Sequence, residues 1–161
     1  MLLVIDIGNT RTKWALAGDD GNLSELEVCM NAAISTSNLS RAAQKADRAL
    51  IANVAGESVA QQVSRLLTPL EVNFVTASTK ACGVTNGYAE PTKLGADRWA
   101  ALIAAWQQTK RATVVVNAGT AITIDVLDEK GKFLGGSIMP DRKSTRLNSS
   151  HLRLSRMPSS A

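Results

Sequence analysis

Short apolar runs alternate with polar turns along the first third of the chain, and longer helical patterns follow. Residues 2–5 form an apolar run of strand length, and Gly8-Asn9 favours a tight turn before a second strand over residues 12–17. Further strands are predicted at 23–30, 48–53, 70–75, 113–117, 120–127 and 132–138, with helices at about 38–45, 57–67 and 94–110. This order predicts an α/β fold, a mixed sheet covered by helices.

The pattern of the first hairpin recurs later in the chain. Residues 114–125 again give an apolar strand, a glycine turn and a second strand, and Asn117 and Gly119 each lie 111 residues after Asp6 and Gly8. Two similar strand-turn-strand units predict two related subdomains whose hairpins face each other across a cleft.

The apolar periodicity stops after Pro140. Residues 141–161 contain six serines and five of the 18 basic residues, but only one of the 14 acidic residues. Residues 1–140 therefore carry 13 charges of each sign, so the net charge of +4 belongs to this tail and predicts no nucleic-acid partner. We expect the tail to be disordered and non-native, because it resembles translated sequencing-adapter DNA. The predicted domains are a first subdomain (1–110), the start of a truncated second subdomain (111–140) and the tail (141–161).

The two cysteines and the apolar runs exclude several other classes of protein. Cys29 and Cys82 are far apart and have no second Cys or His near them, which excludes the usual zinc spacings and a disulfide framework. No apolar run reaches the length of a membrane span, and the N-terminus lacks the features of a signal peptide. A cytoplasmic protein without a membrane partner is the expectation.

The first turn has the composition of a phosphate-binding site. Asp6 lies where the first strand ends, and the turn is expected to leave the N–H groups of Gly8, Asn9 and Thr10 unpaired. Hydroxyl and ammonium donors are expected nearby from Thr10, Thr12 and Lys13. Many hairpins carry Asp and Asn for turn geometry alone, and that alternative is open for an isolated motif.

Three segments together resemble the type III pantothenate kinase family, within the actin, hexokinase and sugar-kinase superfamily. They are D-I-G-N-T-R-T-K at 6–13, N-G-Y at 86–88 with L-G-A-D-R-W at 94–99, and N-A-G-T-A-I-T-I-D at 117–125. The resemblance covers about residues 1–140. It implies a ribonuclease H-like (actin-like ATPase) mixed sheet with helices on both faces, in which the first subdomain is complete and the second is partial.

The resemblance implies transfer of the ATP γ-phosphoryl group to the primary hydroxyl of pantothenate, the first step of coenzyme A synthesis. Such a reaction needs phosphate-binding turns, a divalent metal and a base aimed at the attacking hydroxyl. It also implies a homodimer for the full-length protein. Because the family's second subdomain continues past residue 140, we expect the 161-residue chain to be inactive or nearly so.

The resemblance also implies site residues. Asp6 would organise Mg²⁺, through water, because Mg²⁺ dehydrates reluctantly. Contacts with the phosphates or with ATP are implied for Asp6, Ile7, Gly8, Asn9, Thr10, Arg11, Thr12, Lys13 and Thr120. Contacts with pantothenate are implied for Tyr88, Gly95, Ala96, Asp97 and Arg98.

Asp97 is the implied general base. The alternative is that an acidic residue in the first turn of a helix only complements the helix dipole. Arg98 is either an ion-pair partner of Asp97 or a ligand for the pantothenate carboxylate. Tyr88 either contacts substrate or anchors its loop. Asp125 is interpreted as structural.

Asn117 departs from the family pattern, in which an aspartate binds a monovalent cation. Asn keeps a carbonyl oxygen but loses the charge, so binding of K⁺ or NH₄⁺ is expected to be weak or absent. Two alternatives to a pantothenate kinase stay open: a non-catalytic, transcription-accessory homologue, and a kinase of the superfamily that acts on another alcohol.

Overall fold

The computed structural model describes residues 1–140, and these form two compact units. The first unit contains Met1–Thr76 and Gly95–Asp97, and the second contains Ala77–Leu94 and the chain from Arg98 onward. The predicted boundary near residue 110 stays a prediction, and the predicted disordered tail lies outside the described residues. No helix within residues 1–140 is long and apolar enough to span a membrane.

The helices and strands follow the order expected from the sequence. The strands are β1 (Leu2–Ile7), β2 (Arg11–Ala17), β3 (Glu27–Met30), β4 (Arg48–Asn53), β5 (Glu71–Phe74), β6 (Lys80–Ala81), β7 (Val84–Thr85), β8 (Thr113–Ala118), β9 (Ala121–Leu127) and β10 (Phe133–Pro140). The α-helices are α1 (Leu39–Ala43), α2 (Glu57–Leu67) and α3 (Ala96–Thr109), and short 3₁₀ helices span Asn31–Thr36 and Pro91–Lys93.

The first unit is built on a five-stranded sheet in the order β3-β2-β1-β4-β5. β1 pairs antiparallel with β2 and parallel with β4, so the sheet is mixed, as predicted. Leu3, Ile5 and Ile7 alternate with less buried residues along β1 and enter the core. This mixed sheet with helices confirms the predicted fold class.

Helices cover the apolar face of this sheet. Val63 and Leu67 of α2 are buried in the same cluster as Ile5 and Ile51. Burial of each such side chain contributes about 1.5–3 kcal/mol relative to exposure. The core therefore fixes β1 and β4 side by side, with their carboxyl ends at the same edge of the sheet.

The second unit contains an antiparallel sheet in the order β10-β9-β8 and the small β6–β7 hairpin. Trp99 and Leu102 of α3 are buried, as their helical spacing predicts. Val114 and Val116, on one face of β8, are each 59% exposed.

Two local predictions are wrong. The strand predicted over residues 23–30 begins only at Glu27, because Ser24 closes a loop against Leu16: its N–H donates to the Leu16 carbonyl and its hydroxyl accepts from the Leu16 N–H. The β6–β7 hairpin was not predicted. Its turn is made by Cys82 and Gly83, both with positive φ, a conformation that the sequence signals only through the glycine.

Candidate functional site

The turn between β1 and β2 follows the carboxyl end of β1. The ladder closes at the pair Ile7 and Thr12, and the Gly8 N–H donates to the Arg11 carbonyl at 3.0 Å. The expectation that the Gly8 N–H is unpaired is therefore wrong, because the turn itself uses it. Asn9 and Arg11 are exposed on this turn.

Asp6 and Lys13 face each other across β1 and β2. They are register partners, and the Lys13 Nζ lies 3.3 Å from Asp6 Oδ2. Both side chains are nearly half exposed, at 43% for Asp6 and 45% for Lys13, so the pair itself adds at most about 1 kcal/mol to stability. A carboxylate and an ammonium thus stand together beside the turn, where both can reach a ligand.

Two of the residues predicted to contact phosphate point into the core. Ile7 is fully buried, so only its backbone can reach a ligand. Thr12 is also fully buried, and its hydroxyl donates to Asn31 Oδ1 at 2.8 Å. Thr12 is therefore placed to shape the turn, and Asn31 is a residue that the sequence analysis missed.

Asp97 lies in the first turn of α3 and belongs to the same compact unit as the β1–β2 turn. A Cβ built on Gly95 would meet Asp97 Oδ1 at 2.7 Å and Val54 Cγ1 at 3.6 Å. The Val54 N–H in turn donates to the Ile7 carbonyl at 2.9 Å. Asp97 Oδ1 and Val54 Cγ1 therefore both lie next to Gly95, and Val54 is hydrogen-bonded to the last residue of β1. The Asp97 carboxylate thus lies near the carboxyl ends of β1 and β4, the edge at which the Gly8 turn begins.

Arg98, the next residue, forms a buried ion pair in the second unit. Its Nε donates to both carboxylate oxygens of Asp125 at 3.2 and 3.0 Å, and its Nη2 donates to Oδ1. Burial lowers the pKa of the Arg98 guanidinium, but the ion pair with Asp125 and the interaction with Tyr88 outweigh this and raise that pKa. The ion pair predicted for Arg98 was with Asp97, whereas the buried pair that the structure shows is with Asp125.

Aromatic rings surround the same guanidinium. Cζ of Arg98 lies 5.9 Å from the centroid of the Phe133 ring, and the Tyr88 ring lies 5.2 Å from Phe133. Asn86, which is buried, holds the Tyr88 loop: its Oδ1 accepts from the Tyr88 N–H and its Nδ2 donates to the Pro91 carbonyl. Asn86 is therefore the residue that anchors this loop, and Tyr88 is a neighbour of Arg98.

The turn between β8 and β9 repeats the first turn in outline. The Gly119 N–H donates to the Ala121 carbonyl at 3.0 Å, and Thr120 is exposed between them. Asn117 is exposed, and its Nδ2 lies 3.5 Å from Thr123 Oγ1. The predicted repeat of a strand-turn-strand unit is present, and the predicted cleft between the hairpins stays a prediction.

Carboxylate and ammonium groups gather at one edge of the sheet in the first unit. Within residues 1–140 no three His, Cys, Asp or Glu side chains cluster as a metal site. At one sheet edge, however, the first unit combines a tight turn, the Asp6–Lys13 pair and the Asp97 carboxylate. A turn with a cation can hold phosphate, and a separate carboxylate can accept a proton.

The comparisons with a family model and with curated relatives agree on one family. The family model for type III pantothenate kinase matches residues 2–149. The chain is 42% identical to the type III pantothenate kinase of Nitrosomonas eutropha over 86% of this chain and 55% of that protein. It is 44% identical to that of Methylobacillus flagellatus over 86% of this chain and 56% of the relative. The chain spans about half the length of these curated relatives.

Among solved structures, the chain is similar to the ethanolamine utilization protein EutJ of Carboxydothermus hydrogenoformans, with a TM-score of 0.46 and 12% identity over 86% of this chain and 51% of that one. Residues 2–149, which the family model matches, include the segments that form the two turns and the start of α3. The chain therefore belongs to the type III pantothenate kinase family.

Proposed function

We propose that the full-length protein transfers the γ-phosphoryl group of ATP to the primary hydroxyl of pantothenate. The observation that carries the proposal is the placement of the Asp97 carboxylate at the same sheet edge as the Gly8 turn and the Asp6–Lys13 pair. Positioning and charge neutralisation supply most of the catalysis in phosphoryl transfer. One edge of the first unit provides groups for both.

The β1–β2 turn would hold the β- and γ-phosphates, with Lys13 as the cationic contact. Asp97 would accept the proton of the attacking hydroxyl, which is the role of a general base. In the second unit, Thr120 on the β8–β9 turn would contact ATP. Arg98 and Tyr88 would contact pantothenate, while Gly95 and Ala96 would let it approach the start of α3.

The residues present fit a water-mediated Mg²⁺ better than a metal held directly by the protein. Asp6 is a single, half-exposed carboxylate, and Mg²⁺ usually keeps several waters and uses one or two carboxylates with substrate phosphates. Bound Mg²⁺ would neutralise charge on the phosphates. Asn117 and Thr123 offer only neutral side-chain oxygens, so we propose weak monovalent-cation binding there. A homodimer and a cytoplasmic location are proposed from family membership alone.

The test is an assay of ADP release with pantothenate and ATP, on the full-length gene product and its Asp97→Asn variant. The variant should lose about 10²–10⁴-fold in kcat, while its affinity for ATP stays unchanged. Glu57→Gln is the matched control. Glu57 also lies in the first turn of a helix, so the only effect that it shares with Asp97 is the interaction with the helix dipole.

Three outcomes would contradict the proposal. Equal losses of kcat in Asp97→Asn and Glu57→Gln would indicate that Asp97 only complements the helix dipole. Phosphorylation of a different alcohol in an acceptor screen would replace pantothenate as the substrate. Absence of both ATP binding and phosphorylation in the full-length protein would favour a non-catalytic homologue.

A further inference from the structure

Asn31 makes three hydrogen bonds to the β1–β2 turn. It is the residue directly after β3 and the first of a 3₁₀ helix. Its Nδ2 donates to the Gly8 carbonyl at 2.7 Å, and its Oδ1 accepts from the Thr12 hydroxyl at 2.8 Å. Its backbone N–H donates to the Thr10 carbonyl at 3.0 Å. One residue, 19 to 23 positions away in the sequence, thus holds both sides of the turn.

These bonds fix the direction of two amide groups. In a planar trans peptide the carbonyl of one residue and the N–H of the next point in opposite directions. The carbonyls of Gly8 and Thr10 point to Asn31, so the N–H groups of Asn9 and Arg11 point away from it. The Gly8 N–H is occupied by the Arg11 carbonyl. Arg11 lies in β2, where the N–H and C=O of an extended residue point to the same side, so its N–H also faces the Gly8 side of the hairpin. The Asn9 N–H is therefore the turn donor that Asn31 directs away from itself.

The chemistry at this position requires an amide. The Gly8 carbonyl can only accept a hydrogen bond, so the nitrogen of the Asn31 side chain must face it, and the oxygen then faces the Thr12 hydroxyl. An aspartate could accept the hydrogen bond from the Thr12 hydroxyl but could not donate to the Gly8 carbonyl. An aliphatic residue could do neither. Thr12 is fully buried, so its end of this contact is fixed by the core.

We infer that Asn31 is a positioning residue for nucleotide phosphate: through its bond to the Gly8 carbonyl it holds the N–H group of Asn9 in the orientation that binds the phosphates. The inference rests on the proposed function in naming ATP as the ligand. The inference goes beyond the proposed function because it assigns the orientation of the β1–β2 turn to a residue that follows β3. Loss of Asn31 should weaken nucleotide binding and leave the pantothenate contacts unchanged.

The experiment uses the full-length gene product with Asn31→Ala, Asn31→Asp and Thr12→Val. Asn73→Ala is the control, because Asn73 is exposed on β5 and its side chain bonds only to Glu71 in the described structure. The measurements are ATP affinity by calorimetry, KM for ATP and for pantothenate, and hydrogen exchange of the amides of residues 8–11. Thermal unfolding shows whether each variant is folded.

Asn31→Ala should lower ATP affinity roughly 10-fold or more, since two side-chain hydrogen bonds are lost. Exchange in residues 8–11 should be faster, and KM for pantothenate should stay within about twofold of the parent. Thr12→Val, which keeps the bond to Gly8, should show a smaller loss, and Asn31→Asp should not rescue affinity.

Unchanged ATP affinity in a folded Asn31→Ala protein would overturn the inference. So would equal changes in both KM values with unchanged exchange in the turn, which would indicate a general loss of structure. If the parent protein binds ATP but does not phosphorylate pantothenate, the proposed function fails, while the calorimetry and exchange data still decide the role of Asn31.

Discussion

Replacement of Asp125 by Asn removes the negative charge from a buried ion pair with Arg98. Asp125 is fully buried and Arg98 is 7% exposed, so water cannot take the place of the lost charge. The carboxylate accepts from both Nε and Nη2 of the guanidinium. Removal of one partner of such a pair leaves an uncompensated buried charge, which costs about 3–5 kcal/mol. The nearby Phe133 ring compensates only in part, by about 0.5–2 kcal/mol.

The expected result is a fall in the free energy of unfolding of about 3–5 kcal/mol in Asp125→Asn, measured by urea denaturation of the full-length protein. Glu129→Gln is the matched control, because Glu129 is exposed in the turn between β9 and β10. The double variant Arg98→Met with Asp125→Leu should be more stable than Asp125→Asn, since it leaves no buried charge. A loss below about 1 kcal/mol in Asp125→Asn would refute the reasoning.

Three further changes test other parts of the structure. Gly95→Ala places a Cβ 2.7 Å from Asp97 Oδ1, so kcat should fall about 10²-fold with ATP affinity unchanged; normal turnover would contradict this. Asn117→Asp restores a charge to the second turn and should make KM for ATP depend more strongly on K⁺, whereas an unchanged K⁺ response would argue against a cation site there. Burial raises the pKa of the Cys29 thiol, whereas Cys82 is exposed. Iodoacetamide near pH 8 should therefore label Cys82 first, and equal labelling rates would contradict this expectation.

Local pattern was enough to predict the β1–β2 and β8–β9 hairpins and α3. The alternation of Leu3, Ile5 and Ile7 marks one face of β1, and the spacing of Trp99 and Leu102 marks one face of a helix. Such periodicities follow from backbone geometry and need no knowledge of distant partners. A local pattern did not give the start of β3, because a hydrogen-bonded contact between Ser24 and Leu16 redirects the chain there.

The residues that support the candidate site could not be found in this way. Asn31 is 23 positions from Gly8, and Asp125 is 27 positions from Arg98. Asn31 carries no local signal, because Asn is common in loops, and the motif that contains Asp125 does not indicate its partner. Their partners follow only from the packing that brings separate segments together, so the sequence analysis interpreted Asp125 as structural without its partner and missed Asn31.

The two three-stranded meanders, β1–β2–β3 and β8–β9–β10, share a plan but differ in chemistry. In each, one cross-strand pair lies one step before the last pair of the hairpin: Asp6 with Lys13 in the first, and Asn117 with Thr123 in the second. The first pair carries two opposite charges, and the second carries none. Charge-assisted contacts with phosphate and metal are roughly twice as strong as neutral hydrogen bonds. In the proposed reaction, the charged contacts with phosphate and metal would therefore come from Asp6 and Lys13 of the first hairpin. Asn117 and Thr120 of the second hairpin would contribute neutral contacts.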